Sequence, residues 1–229
     1  MNDVCVCNMV KDEIEILPAF YRYIKEWAGS WKVLDHGSTD GTIEFLERMK
    51  TRKEIDIDYW VEPSDNFNYD FYKEWNKVLD RANRTWIFAG HIDEFAPDMK
   101  DVIPGYLSDN FAYIFSRYEC VSINPLLAIV REPFVRLWKK EGGTRFKINN
   151  DLHFEEVVSP KPVPTKVSKI PYYHFGRVRN LNHIRTKEID FEHCCGNSQL
   201  TSKYSNDRRQ VEMKRSFLVK DTRVVNMLL

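Results

Sequence analysis

The chain has 229 residues, 43% of them hydrophobic and 14% aromatic, which suits one large α/β domain or one domain with an appendage. Lys+Arg and Asp+Glu both total 34, so the net charge is zero and no basic field points to a nucleic-acid partner. No apolar run reaches about 18 residues, and Asp3 and Lys11-Asp12-Glu13 interrupt the first apolar stretch. Neither a spanning helix nor a signal peptide is therefore expected, and a soluble, cytoplasmic protein is.

Val4 to Met9 reads as a short apolar strand. Lys11-Asp12-Glu13 follows, and then Leu17, Phe20, Ile24 and Trp27 recur at helical spacing, with Pro18 in the first turn and Gly29 at the end. A second strand, Trp31 to Leu34, opens into Asp35-His36-Gly37-Ser38-Thr39-Asp40-Gly41-Thr42, a loop of small and capping residues before a helix over Ile43 to Lys50. Asp40 or Gly41 can cap that helix, whose free amide groups favour a phosphate or carboxylate. A third strand spans Ile57 to Val61, and a helix runs from about Asp70 to Ala82, with Phe71, Val78, Leu79 and Ala82 on one face.

The fourth strand is the apolar run Trp86-Ile87-Phe88-Ala89, which meets Gly90 and then His91-Ile92-Asp93-Glu94-Phe95. Acidic and imidazole side chains at the carboxyl end of a buried strand stand where open α/β sheets bind ligands. Donors two residues apart can converge on one divalent cation, which can in turn hold phosphate oxygens. The plainer alternative is that His91 and Glu94 are the solvated end of a strand. Strand–helix alternation over this half implies right-handed crossovers, hence a mainly parallel sheet with helices on both faces.

Beyond Pro97 the pattern changes to longer strands over Ala112 to Val121 and Phe134 to Lys139, with a Gly142-Gly143 turn after the second. Ionisable groups cluster in Asp151-Leu152-His153-Phe154-Glu155-Glu156, and a proline-rich connector leads to Tyr173-His174-Phe175-Gly176. A helix is expected over Asp207 to Leu218. The basic run Lys203 to Lys220, with interleaved apolar residues, suits a solvated helix packed on the domain and at most peripheral membrane contact. Cys5 and Cys7 alternate along a strand and read as small buried hydrophobes, and Cys194-Cys195 beside His193 lacks the second pair that a zinc site needs.

Taken together, the Asp35–Thr42 loop, Asn76, and the acidic pair of His91-Ile92-Asp93-Glu94 one strand later resemble the family 2 glycosyltransferases. The match is close over roughly the first hundred residues and loose beyond. It implies a GT-A (Rossmann-like) fold, with residues 1–100 as the nucleotide-sugar half. Residues 101–229 would form a smaller mixed acceptor-side region and a C-terminal helical segment, all within one continuous domain.

The resemblance also implies roles. Val10, Asp12 and Glu13 line the base and ribose; Asp35 accepts a ring N–H of the base, with Gly37 beside it; and Asn76 lies near the diphosphate. Trp75 stands where many members carry an Arg, so Lys73 or Lys77 would supply that charge. His91-Ile92-Asp93 occupies the place of the family's Asp-x-Asp motif, with His91 in place of the first acid. Asp93, His174 and His91 are then the expected ligands of Mn²⁺ or Mg²⁺, and His91 and Ile92 also border the nucleotide. Glu156, with Glu155 and Asp151 as competitors, would be the base of an inverting transfer from a UDP-sugar to a glycan or other hydroxyl acceptor.

Three other readings stand beside this one. A non-catalytic nucleotide-sugar-binding domain would suit the altered motif. A metallohydrolase using His91, Asp93, His153 and His174 explains the histidines but not the Asp35–Thr42 loop. An S-adenosylmethionine methyltransferase wants glycine where Thr39 stands.

Overall fold

The computed structural model describes residues 3–63, 71–123, 126–131, 133–141, 145–149, 154–158, 163–176 and 217–218. At 71, 122–123, 126, 147–149, 154–158 and 217–218 it describes the backbone alone. The first half alternates as expected: β1 (Val4–Val10), α1 (Leu17–Ile24), β2 (Ser30–Asp35), α2 (Thr42–Arg52), β3 (Asp56–Val61), α3 (Phe71–Arg81) and β4 (Trp86–Ala89). A two-residue strand β5 (Glu94–Phe95) and a helix α4 (Met99–Ser108) follow.

The second half holds β6 (Ala112–Phe115), β7 (Arg117–Ile123), β8 (Leu126–Val130), β9 (Phe134–Lys139), β10 (Arg145–Asn149), β11 (Phe154–Val158), β12 (Thr165–Val167), β13 (Tyr172–His174) and β14 (Phe217–Leu218). Seven strands form the large sheet in the order β12-β6-β9-β4-β1-β2-β3, and five form a second sheet, β14-β8-β7-β13-β5. Strands β10 and β11 pair with each other. In the large sheet β9 alone runs antiparallel to its neighbours β4 and β6, and the remaining pairings are parallel.

Strand β1 shows why this arrangement closes. Its side chains alternate between two apolar layers, Val4 and Val6 on the side of α1 and α2, Cys5 and Cys7 on the side of α3. The two cysteines are free and fully buried, as small core residues should be. Around Phe88 the first layer is aromatic: Trp27 and Phe115 meet it edge-on at 5.1 and 6.1 Å. Phe20, Phe88 and Phe95 are each fully buried, and each contributes about 1.5–3 kcal/mol by leaving water.

Three expectations are corrected, and one helix is new. The strand expected over Ala112 to Val121 is two strands, because the chain leaves the large sheet at Ser116 and enters the second sheet as β7. Helix α4 was not foreseen; Pro104 inside it masks a helical pattern whose buried face is Met99, Ile103 and Tyr106. Helix α1 stops at Ile24, before Gly29, with the Lys25 N–H bonded to the Tyr21 carbonyl. At the end of the helix expected over Asp207 to Leu218, Phe217–Leu218 is a strand, paired antiparallel with β8. The Gly142-Gly143 turn, His193, Cys194 and Cys195 lie outside the described residues.

Candidate nucleotide-sugar site

Because β1, β2 and β4 are parallel neighbours, their carboxyl ends share one sheet edge. Val10 and Asp35 are partners in register there, both buried, and the His36 N–H bonds the Val10 carbonyl at 2.9 Å. The loops after β1 and β2 are stitched together. The Asp12 N–H donates to Ser38 Oγ at 2.8 Å, the Thr39 N–H to Asp12 Oδ1 at 2.7 Å, and the Glu13 N–H to Thr42 Oγ1 at 2.9 Å. The N-cap of α2 is Gly41, in the left-handed region and with no side-chain cap; just before it, Asp40 Oδ1 accepts from the Thr42 N–H at 3.0 Å, and its Oδ2 accepts from the Ile14 N–H at 2.9 Å.

Asp35 is fully buried. Its Oδ1 accepts the N–H groups of Gly37 and Ser38 at 2.8 and 2.7 Å, with Gly37 in the left-handed region at φ +84°. Among the described residues its Oδ2 is buried and has no hydrogen-bond partner. A buried acceptor left open is costly, so this oxygen can take a further donor.

The turn after β4 is held in place from three sides. Asn8 Nδ2 donates to the Gly90 carbonyl at 2.5 Å, while the Trp31 indole donates to Asn8 Oδ1 at 2.6 Å. A Cβ on Gly90 would collide with the Tyr172 hydroxyl, so only glycine fits. Glu94 is fully buried: its Oε2 accepts the His91 N–H and the Tyr172 hydroxyl, both at 2.9 Å, and its Oε1 accepts from Arg136 at 3.1 Å. Burial alone would push Glu94 up, but Arg136, followed by His91 and His174, offsets it, and the carboxyl ends below its ordinary value of 4.5.

His174 ends β13, opposite Glu94 on one side and Glu119 on the other. Its Nδ1–H donates to Glu119 Oε2 at 2.9 Å, and its Nε2 lies 3.5 Å from Asp93 Oδ2. Burial would lower the imidazole; Glu119 and then Asp93 overcome it and push His174 up to about 10. Gly176 borders this pair so closely that a Cβ there would stand 2.8 Å from His174 Nε2 and 3.1 Å from Asp93 Oδ2. An open cradle is thus kept beside the two donor atoms.

Asp93 and His174 fit two positions of a divalent cation, one hard oxygen and one imidazole, with Glu119 behind the ring. Among the described residues no three His, Cys, Asp or Glu side chains form a ready cage, so any further ligands would come from water or a bound phosphate. His91 stands near: its ring centroid lies 6.5 Å from that of His174 and 6.1 Å, edge-on, from that of Trp75.

The other expected site residues fall as follows. Ile92 points into the main core. Asn76 spends both ends of its amide on the Phe146 backbone, at 3.1 and 2.9 Å, and so ties α3 to β10. Lys73 is exposed, and Lys77 is paired with Glu62 and, at 2.8 Å, with Glu74. Glu155 and Glu156 occupy β11 opposite Ile148 and Lys147; their side chains, with Asp151 and His153, lie outside the described residues.

Arg117, Glu119, Arg136 and Tyr172 were not foreseen. The signal for the first two was the alternation Arg117-Tyr118-Glu119-Cys120 on a strand, which puts two charges on one buried face.

No protein-family model and no curated protein matches the chain. Solved structures do. S. aureus TarS aligns with a TM-score of 0.50 at 11% identity, over 90% of this chain and 46% of that one. TarS 1-349 aligns at 0.47 and 12% identity, over 84% and 66%. TarS 1-349 in complex with UDP-GlcNAc aligns at 0.43 and 13% identity, over 54% and 36%. The chain spans about a third to two thirds of these TarS chains. The alignment at 0.50 is a likeness of fold alone, that of a mixed α/β protein, here with a mostly parallel seven-stranded sheet and a smaller second sheet.

Proposed function

We propose that this chain transfers a sugar from a nucleotide-diphosphate donor, a UDP-sugar first among them, to a hydroxyl of an acceptor such as a glycan. The observation that carries the reading is the Asp35 carboxylate. One oxygen is saturated by its own loop, and the other is buried without a partner among the described residues, at the carboxyl edge of a parallel sheet. A pyrimidine ring N–H is the donor such an oxygen wants. The fold shared with TarS, which has been solved with UDP and with UDP-GlcNAc, is compatible with that choice.

In this reading Val10, Asp12 and Glu13 border the nucleoside beside Asp35 and Gly37, and Asp93 and His174 face the diphosphate. Those two side chains would hold Mn²⁺ in preference to Mg²⁺, since imidazole suits transition metals, with His91 as the neighbouring candidate ligand. When bound, the cation neutralises charge on the leaving nucleotide. A carboxylate on or beside β11, Glu156 before Glu155 and Asp151, takes the proton of the acceptor hydroxyl as it attacks the anomeric carbon in line, which inverts that carbon.

Calorimetric titration with UDP and a panel of nucleotide sugars, with and without Mn²⁺, tests the donor. NMR of the product tests the chemistry, with the anomeric configuration expected to be opposite to the donor's. No binding of any nucleotide would end the reading, and retention would end the single displacement. A binding-only role draws on His91 standing at the first acidic position of the motif; tight donor binding with no turnover of any acceptor would establish it.

A further inference from the structure

We infer that Glu119 is a positioning residue, whose buried carboxylate accepts the His174 Nδ1–H and fixes the imidazole with Nε2 turned toward Asp93. The inference rests on the nucleotide-sugar reading only for what Nε2 finally meets; the positioning itself follows from the strands. His174 and Glu119 are partners in the parallel pairing of β13 with β7, so their side chains stand on the same face of the second sheet. The bond between them is 2.9 Å, and Glu119 is 2% exposed.

A buried carboxylate must be balanced, and Arg117, two residues earlier on the same face of β7, donates to Glu119 Oε2 from 3.2 Å. Arg117 also lies 3.9 Å from Glu94 Oε1, which is bonded to Arg136 at 3.1 Å. The contacts therefore form one unbroken chain, Asp93–His174–Glu119–Arg117–Glu94–Arg136, which returns to the same loop through the His91 N–H on Glu94. A carboxylate behind an imidazole settles which nitrogen keeps its proton and which faces the ligand, and it restricts rotation of the ring.

The test uses the whole chain, free and with UDP and Mn²⁺. In the free protein the His174 Nδ1–H, assigned by its loss in His174→Gln, should give a downfield, slowly exchanging proton resonance. Glu119→Gln keeps the volume but removes the charge; Glu119→Asp keeps the charge against Arg117 but withdraws the oxygen by one methylene. Both should shift or erase that resonance while the proteins remain folded by circular dichroism. Both should also cut the Mn²⁺-dependent gain in UDP affinity by roughly 10- to 100-fold, the usual effect of removing a partner behind a metal-facing histidine. A resonance unchanged in both variants overturns the inference, whatever their stability. If the unaltered protein binds no UDP, the nucleotide reading falls instead, and the resonance still decides what Glu119 does.

Discussion

The two ends of the candidate site are built differently. At the Asp35 end, the carboxylate accepts from N–H groups two and three residues on, and the loops after β1 and β2 are joined by short polar links between backbone and side chain. At the Asp93 end, Asp93, Glu94, Glu119, Arg117, Arg136 and His174 come from a turn and from distant strands of both sheets and balance as three acids against three cations. The first region is held by local hydrogen bonds from backbone N–H groups to nearby hydroxyls and carboxylates, each worth about 1–3 kcal/mol. The second is held by a few buried charges, none of which can be removed without stranding another. A loop of this kind can thus be ordered locally, whereas a cluster that must hold charge in one geometry needs the whole fold around it.

The contrast is broken most severely at Arg136. Arg136→Met should leave Glu94 buried without its closest cation and destabilise the protein by about 3–5 kcal/mol, measured by urea unfolding. A loss below about 1 kcal/mol would show that the cluster does not hold the fold. Next in size, Asp93→Ala should abolish the support that Mn²⁺ gives to UDP binding or turnover, on the order of 10²-fold. Persistence of a full Mn²⁺ effect in that variant would remove Asp93 from the metal.

At the other end, Asp35→Ala should weaken UDP binding by roughly 1–3 kcal/mol in calorimetry, because a base N–H loses its acceptor, and should leave the Mn²⁺ preference as it was. Unchanged affinity would take Asp35 out of the site. Asp40→Ala, which removes the bonds to Thr42 at the start of α2 and to Ile14, should cost about 1 kcal/mol of stability and little else.

The pH dependence probes the charged cluster. His174 is raised from its ordinary 6.5 to about 10, so its contribution to stability is fully present below 6.5 and is lost as pH rises through about 10. Glu94 is lowered, so its contribution is present above 4.5 and is lost as pH falls through its depressed value. Urea midpoints should therefore decline from pH 6.5 toward 10, and His174→Gln should flatten that decline. The proton on Nε2 also competes with a cation, so Mn²⁺ support should go on rising above pH 6.5. A midpoint flat to pH 10 would contradict the charged state of His174.

Much of this protein was legible along the chain. Residues that act on near neighbours announce themselves: the alternation of β1, the apolar spacing of α1 and α3, and a loop such as Asp35 to Thr42, whose capping chemistry is settled within a few positions. The edge holding Asp35 and Asp93 also followed, because strand–helix alternation forces parallel strands whose ends coincide. Tertiary structure alone decided the partners of Glu94 and His174. Arg136 lies 42 residues from Glu94, Tyr172 lies 78 from it, and Glu119 lies 55 from His174. No local periodicity encodes a pairing across such separations; it arises when the chain breaks at Ser116, crosses to the second sheet, and sets β7 beside β13. There, burial makes each charge depend on its opposite.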